Sequence, residues 1–252
     1  LDLRLDRALG WTRGLTAGLK PQQRLPIRPH GPGLAMPLSA APSMSSFRSL
    51  RTAAVLMACV AFAGTAAAAA VDISVGGSDG RPLAEAVVFL ESAQAKAATK
   101  PTTGVEIEQA AKQFTHRVTV VPLGSEVLFP NRDKVRHHVF SFSPTKTFEL
   151  KLYAGTPANP VLFDKPGIAV LGCNIHDNMV AWVVVVESPY YGLSAAPGKV
   201  RLDNVPPGNY RLRTWHPDLP PGTAPLEQAL VVPAAGTAVA VRLALPGTLA
   251  AN

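Results

Sequence analysis

Leu171-Gly172-Cys173-Asn174-Ile175-His176-Asp177-Asn178-Met179-Val180 places a cysteine, a histidine and a methionine within seven residues, directly ahead of an apolar run that ends at Glu187. Thiolate, imidazole and thioether are soft or borderline donors, which suit copper better than magnesium or calcium. Two His and one Cys in a plane, with a weak axial Met, is the donor set of blue-copper electron-transfer sites, so the stretch calls for a second histidine elsewhere.

His137 answers that need, in Asn131-Arg132-Asp133-Lys134-Val135-Arg136-His137-His138-Val139, close behind an apolar β-type run. His138 is the alternative, but neighbouring strand residues face opposite ways, so only one of the two reaches a given ion; His137 is chosen. The candidate metal ligands are therefore His137, Cys173, His176 and Met179, holding one copper ion. An isolated Cys is more often a small buried hydrophobe and an isolated Met more often core filler; their spacing around His176 turns both toward ligation. Structural zinc prefers four Cys/His ligands, and a cysteine-nucleophile enzyme lacks a recognisable oxyanion loop and third group. The chain is read as a non-enzyme. His116 and His216 are assigned to surface or turn positions, and Trp182 and Trp215 to strand cores.

Outward from this stretch the pattern is short alternating runs broken by turn residues, with 24 Pro and 20 Gly in the chain. Val71 to Ser92 reads as a hairpin around Gly76-Gly77-Ser78-Asp79-Gly80. Val118 to Pro122, Val127 to Phe129, Val139 to Phe142 and Val180 to Glu187 read as strands, and Glu149 to Ala154 as one helical turn. Lys199 to Leu202, the turn Asn204-Val205-Pro206-Pro207-Gly208-Asn209, and Tyr210 to Trp215 read as another hairpin. Val231, Val239, Val241 and Leu243 supply further strand material. The fold class is all-β, a Greek-key β-sandwich at 104–187 plus a small second β-sandwich. A module of about 50 residues is too small alone, so the second one is expected to be discontinuous, built from 71–103 and 190–247.

The formal net charge is +7 and the pI about 9.7. Residues 1–70 carry 8 of the 24 Lys+Arg and 2 of the 17 Asp+Glu, leaving 16 basic and 15 acidic residues beyond Ala70. So balanced a chain offers no broad footprint for phosphate backbones, and no nucleic-acid partner is expected, although Arg132, Lys134 and Arg136 cluster locally. Residues 1–43 read as a non-native or disordered leader, with translation starting at Met36 or Met44. Residues 44–70 read as a signal peptide: Arg48 and Arg51, an apolar stretch from Thr52 to Gly64, and a small-residue cleavage site of Ala-x-Ala type from Thr65 to Ala70. Leu56-Met57-Ala58-Cys59 loosely resembles a lipoprotein box, a second reading in which Cys59 anchors the chain to lipid. No stretch beyond Ala70 is long and apolar enough to span a bilayer. Cleavage after Ala70 leaves Cys173 as the one cysteine of a chain exported to the periplasm or beyond, where cysteines usually pair.

The Cys-x-x-His-x-x-Met spacing of Cys173, His176 and Met179 resembles the cupredoxins, and within them the amicyanin and plastocyanin type. The likeness extends upstream through Phe114 to Asn131 and spans about Val105 to Glu187. His137-His138-Val139-Phe140-Ser141-Phe142-Ser143-Pro144, Phe163-Asp164-Lys165-Pro166-Gly167 and Gly172-Cys173-Asn174-Ile175-His176-Asp177 resemble exported proteins that carry the name methylamine utilization protein. Val205-Pro206-Pro207-Gly208-Asn209-Tyr210 and Asp79-Gly80-Arg81-Pro82-Leu83-Ala84-Glu85-Ala86 resemble carboxypeptidase-regulatory-like β-modules. The cupredoxin likeness implies a one-electron carrier cycling between Cu(II) and Cu(I). Cys173 would bind as thiolate, His137 and His176 complete the plane, Met179 tune the potential, and Asn174 donate near the sulfur. A redox partner would dock near His176, and the family name implies a place in amine oxidation. Many cupredoxins have Asn directly after the first His, where this chain has His138. The rival readings are a copper-handling protein for storage or delivery and a structural β-module without metal.

Overall fold

The structure, a computed structural model, describes residues 68–246. In chain order the strands are β1 (Ala69–Gly77), β2 (Val87–Glu91), β3 (Val105–Glu106), β4 (Gln109–Ala110), β5 (Gln113–Phe114), β6 (Val118–Pro122), β7 (Ser125–Leu128), β8 (His137–Ser143) and β9 (Lys146–Tyr153), then β10 (Val161–Phe163), β11 (Gly167–Cys173), β12 (Val180–Val186), β13 (Tyr191–Leu193), β14 (Lys199–Val205), β15 (Gly208–Trp215), β16 (Leu226–Val232) and β17 (Thr237–Leu243). One helix, α1 (Ala93–Ala98), starts where the Ser92 hydroxyl accepts the Ala95 N–H at 3.1 Å. Among the described residues no helix is long and apolar enough to cross a membrane. The leader 1–43, Cys59 and the signal peptide up to residue 67 lie outside the described residues.

The chain is all-β. One pair of sheets, β14-β1-β17 and β13-β2-β15-β16, closes around Val71, Ile73, Leu90, Leu202, Leu212 and Val241. A second pair, β6-β12-β11-β8-β9 and β10-β7-β3, closes around Val127, Phe129, Phe163, Leu171, Cys173 and Val183. Each core is fed by alternation: in β1 the residues Ala69, Val71, Ile73 and Val75 are buried, Ala70 is half-buried and Asp72 and Ser74 are exposed.

The unbroken run Val183-Val184-Val185-Val186 has a separate cause. Val183 and Val185 face one core, while Val184 and Val186 join Val87, Phe89, Val118 and Trp215 in a third apolar cluster. That cluster lies between the β2 sheet and the β12 sheet, so both strands are covered on both faces and lose the polar alternation of a half-exposed strand. Arg117 closes its edge: its guanidinium lies 5.2 Å from the Trp182 ring centre, donates to Glu85 at 3.1 Å and pairs with Asp218. These carboxylates hold Arg117 above its usual pKa against the opposing effect of partial burial, which comes first in size.

Three expectations are corrected. Val71 to Ser92 is not a hairpin: β1 pairs with β14 and β17, and β2 pairs with β13 and β15 in the facing sheet. Lys199 to Trp215 is likewise not a hairpin, since β14 joins β1 while β15 joins β2 and β16. Both alternations are real, but each strand buries its apolar face from the opposite side of one core, so the connection arches across it; Pro206 and Pro207 supply no N–H with which to extend a ladder there. Glu149 to Ala154 is no helical turn: Glu149 to Tyr153 belongs to β9 and pairs with β8. His216, expected at the surface or in a turn, does open a turn, its carbonyl accepting the Leu219 N–H at 3.0 Å, but it is 4 % exposed, with Nε2 2.9 Å from the Ala84 carbonyl and Nδ1 accepting the Asp218 N–H at 3.1 Å. Trp215 is buried and Trp182 half-buried.

Trp215 is 4 % exposed in the cluster between the two pairs of sheets. Trp215→Ala is expected to cost about 3–5 kcal/mol, as large aromatic truncations in packed cores do, read as a fall in the urea midpoint.

Candidate metal centre

β8 and β11 lie side by side and antiparallel, with Cys173 opposite Val139 and Gly172 opposite Phe140. Side chains of one strand alternate between faces, so His137, Val139 and Ser141 point inward with Leu171 and Cys173. His137 opens β8 fully buried, and Cys173 closes β11 at 5 % exposure. His176 sits half-buried in the loop between β11 and β12.

The three side chains converge. Cys173 Sγ is 3.7 Å from His137 Nδ1 and 3.9 Å from His176 Nδ1, and the two rings lie 5.1 Å apart. All three donor atoms lie within 4.8 Å of one another, the one group of its kind among the described residues. Metal–sulfur and metal–nitrogen bonds of about 2.3 and 2.0–2.1 Å, held at a trigonal angle, separate S from N by about 3.8 Å. The observed separations fit one ion shared by the three atoms. Met179 is 1 % exposed in the same core as Cys173, and its N–H donates to the His176 carbonyl at 3.0 Å, which closes the loop beneath the histidine.

The orientation of His137 is set by Asp133, four residues upstream. Asp133 Oδ2 is 2.8 Å from His137 Nε2, leaving Nδ1 as the ring atom turned to Cys173. Such an outer carboxylate fixes tautomer and ring angle at metal-binding histidines. Asp133 also accepts the N–H of Ala111 at 2.8 Å and of Lys112 at 2.9 Å. The Lys112 N–H is the largest of the contacts that hold its carboxyl below the usual carboxylate range, with His137 and Ala111 adding to it against partial burial.

The loop carrying Asp133 is held from behind. Asn131 donates through Nδ2 to the carbonyls of Val135 (2.8 Å) and Tyr153 (3.0 Å), and its Oδ1 accepts the Asp133 N–H at 2.9 Å. Gln109, fully buried, donates to the Phe129 carbonyl and to the Tyr153 hydroxyl, which itself donates to Phe129 at 2.7 Å. Burial pushes the Tyr153 phenol up to about 12, the Gln109 hydrogen bond opposes this, and the nearby Cys173 adds to it.

His138 faces away from Cys173, with Nε2 3.8 Å from a Glu149 carboxylate oxygen. Its backbone supplies a link between the two loops: the Asn174 N–H donates to the His138 carbonyl at 3.2 Å. On the same outer face Phe140 covers Gly172, where an added Cβ would come within 2.7 Å of the ring. The sequence reading missed Asp133, Gln109 and Tyr153, and it marked Asn131 only as part of the resemblance, without its hydrogen bonds. Asp133 carried a signal in its spacing from His137; Gln109, far upstream in the chain, carried none.

No family model matches the chain, and no curated protein does. Solved structures similar to part of it include a copper-containing nitrite reductase from Thermus scotoductus SA-01, at 24 % identity over 32 % of this chain and 22 % of that one, with a TM-score of 0.31. The chain thus spans under a quarter of that enzyme's length. Amicyanin, as a variant in its reduced Cu(I) form, matches at 20 % identity over 39 % of this chain and 98 % of its own, with a TM-score of 0.30. A purple cupredoxin from Nitrosopumilus maritimus matches at 22 % identity over 32 % and 96 %, with a TM-score of 0.27.

Tyr153→Phe leaves the Phe129 carbonyl and the Gln109 amide short of a partner, and is expected to cost about 1–3 kcal/mol. Because the folded phenol is raised from 10.0 to about 12, its contribution is complete below pH 10 and is lost as the pH rises toward 12. Urea unfolding across that window is expected to show a decline in the wild-type chain that is smaller in Tyr153→Phe.

Proposed function

We propose that the chain is an exported cupredoxin, a one-electron carrier that holds a single copper ion at His137, Cys173, His176 and Met179. The observation that carries this is the convergence of one sulfur and two imidazole nitrogens within 4.8 Å of one another, with His137 turned by Asp133 so that Nδ1 faces the sulfur. Copper bound there would supply a Cu(II)/Cu(I) couple; the protein supplies the rest. Cys173, the one free cysteine among the described residues, is buried and offers its sulfur without a disulfide partner. His137 and His176 complete a plane, and Met179 stands by as the weak fourth donor that tunes the potential. With His137 held by Asp133 and with Cys173 and Met179 buried, the site would have little room to reorganise between oxidation states, which suits electron transfer better than turnover of a substrate.

The 71–103 and 190–247 segments are proposed as a second module interrupted by 104–187, supported by the core that β1, β2, β14, β15 and β17 share. Export is proposed from the 44–70 pattern. Cleavage after Ala70 would take Ala69, buried opposite Val205, and Ala70 off the start of β1 and leave the strand from Val71 onward. A role in amine oxidation is the finer proposal that the sequence resemblance suggests.

Titration of the purified chain with Cu(II) is expected to give an intense thiolate-to-copper band near ~600 nm that bleaches with ascorbate. Cys173→Ser is expected to abolish the band, and Met179→Ala to keep it with a shifted potential. Copper that leaves readily for a competing chelator would instead indicate a handling protein, and a colourless chain that retains no copper would leave a structural β-protein.

A further inference from the structure

We propose that the cavity between the outer face of the β11–β12 ladder and the loop that follows β15 binds a flat, uncharged aromatic molecule carrying one hydrogen-bonding group. None of the residues lining it is a candidate metal ligand. The site begins with alternation. Ala169, Leu171 and Cys173 of β11 and Ala181, Val183 and Val185 of β12 face the core, so Ile168, Val170, Val180 and Trp182 face outward, with Val170 opposite Trp182. Farther along β12 the outward side chains Val184 and Val186 are covered by Val87, Phe89 and Trp215. That cover thins at the half-buried Trp182, and Val170 and Val180 are left 44 % and 40 % exposed.

Over this edge the chain leaving β15 arches instead of packing down. Pro217, Pro220, Pro221 and Pro225 have φ fixed by their rings. The Leu219 N–H donates to the His216 carbonyl at 3.0 Å and the Thr223 N–H to the Pro220 carbonyl at 3.0 Å, while the buried His216 ring ties the start of the arch to the Ala84 carbonyl. So stiff a loop does not settle onto the valines. Beneath it lies a cavity of about 630 Å³, with Val170, Val180 and Trp182 on one side and Trp215 and Leu219 on the other.

The lining selects the ligand. It contains no charged side chain, so an ion entering would give up its hydration without gaining a partner. Trp182 and Trp215, with ring centres 6.3 Å apart, offer flat apolar surface to an aromatic ring. One polar group is left over. Thr145 is 9 % exposed and its hydroxyl makes no hydrogen bond among the described residues, whereas the Ser143 hydroxyl accepts the Val170 N–H at 2.9 Å. Facing Thr145 is Gly167, at a φ of 131°, where an added Cβ would stand 2.5 Å from Oγ1; glycine thus keeps the space before the hydroxyl clear. An unpaired hydroxyl at such depth destabilises the fold until something pairs with it. The cavity volume lies within the roughly 300–1,000 Å³ of small-molecule sites, which favour junctions between domains. A second copy of the chain fits less well, because the three exposed side chains at the recess, Phe142, Val170 and Val180, fall far short of the about 800 Å² per partner that a standard interface buries.

N-phenyl-1-naphthylamine, uncharged and with one N–H, and 8-anilino-1-naphthalenesulfonate, the same skeleton with a sulfonate added, form a matched pair of fluorescent probes. The first is expected to bind the purified, metal-free chain at one saturable site in the micromolar range, and the second about tenfold more weakly or worse. Amide shifts of the isotope-labelled chain titrated with the uncharged probe are expected to be confined to 143–145, 167–170, 180–182 and 215–225. Thr145→Val removes an unpaired hydroxyl, so it is expected to leave the urea midpoint unchanged or raised while weakening the uncharged probe about two- to tenfold, the range of one hydrogen bond. Val170→Phe, which fills the cavity from an exposed strand position, is expected to abolish the saturable phase, while Val231→Phe, at a 67 % exposed position of β16 outside the cavity, leaves it intact. Absence of saturable binding, equal or tighter binding of the sulfonate, shifts centred elsewhere, or undiminished affinity in Thr145→Val or Val170→Phe overturns the proposal. No readout involves copper, so the outcome is independent of the carrier reading.

Discussion

The candidate centre depends on the antiparallel register of β8 and β11. Pairing Cys173 with Val139 sets the sulfur one inward position from His137, close enough for Sγ and Nδ1 to stand 3.7 Å apart. Alternation gives that register no tolerance: a slip of one residue would turn Cys173 to the outer face and bring Gly172 inward. The outer face guards against the slip, because Phe140 lies against Gly172 in a space that admits no larger residue. His176 then needs only a short loop to reach the same sulfur, and Met179 closes that loop from within the core.

Around the three donors the protein has built a frame from backbone and amide groups. Asp133 orients His137, Asn131 positions Asp133, and Gln109 with Tyr153 braces the strand behind them. Charge enters this frame once, through Asp133, and that carboxylate receives two N–H groups besides the histidine. Buried polar groups in such a chain constrain one another, so the positions of the candidate donors are set by the protein's own contacts, the preorganisation a functional site requires.

The second pair of sheets serves the site indirectly. The Val87, Phe89, Val184 and Trp215 cluster covers part of the outer face of the sheet whose inner face bears Cys173. The strand that leads away from the metal loop is thereby buried on both sides and held against neighbours it shares with the rest of the chain. Arg117, between Glu85, Asp218 and Trp182, fixes the edge of that contact with a guanidinium that could serve no carboxylate as well if replaced by lysine.

By itself the sequence marked the candidate donors of the centre and supplied the material of the fold. Residue type and spacing marked Cys173, His176 and Met179 as candidate donors, alternation marked β1, β6 and β8 because a half-buried strand must show it, and the unbroken run Val183 to Val186 marked β12. Tertiary structure decided which strands meet. Val71 to Ser92 and Lys199 to Trp215 carry the local signals of hairpins, yet each sends its two strands to facing sheets, since alternation says that a strand has an apolar side and not from which side of the core it comes. The same limit hid Gln109 and Tyr153, whose roles arise only when distant backbone is brought together, and it hid the burial of His216 within its turn, since no local pattern announces its hydrogen bonds to Ala84 and Asp218.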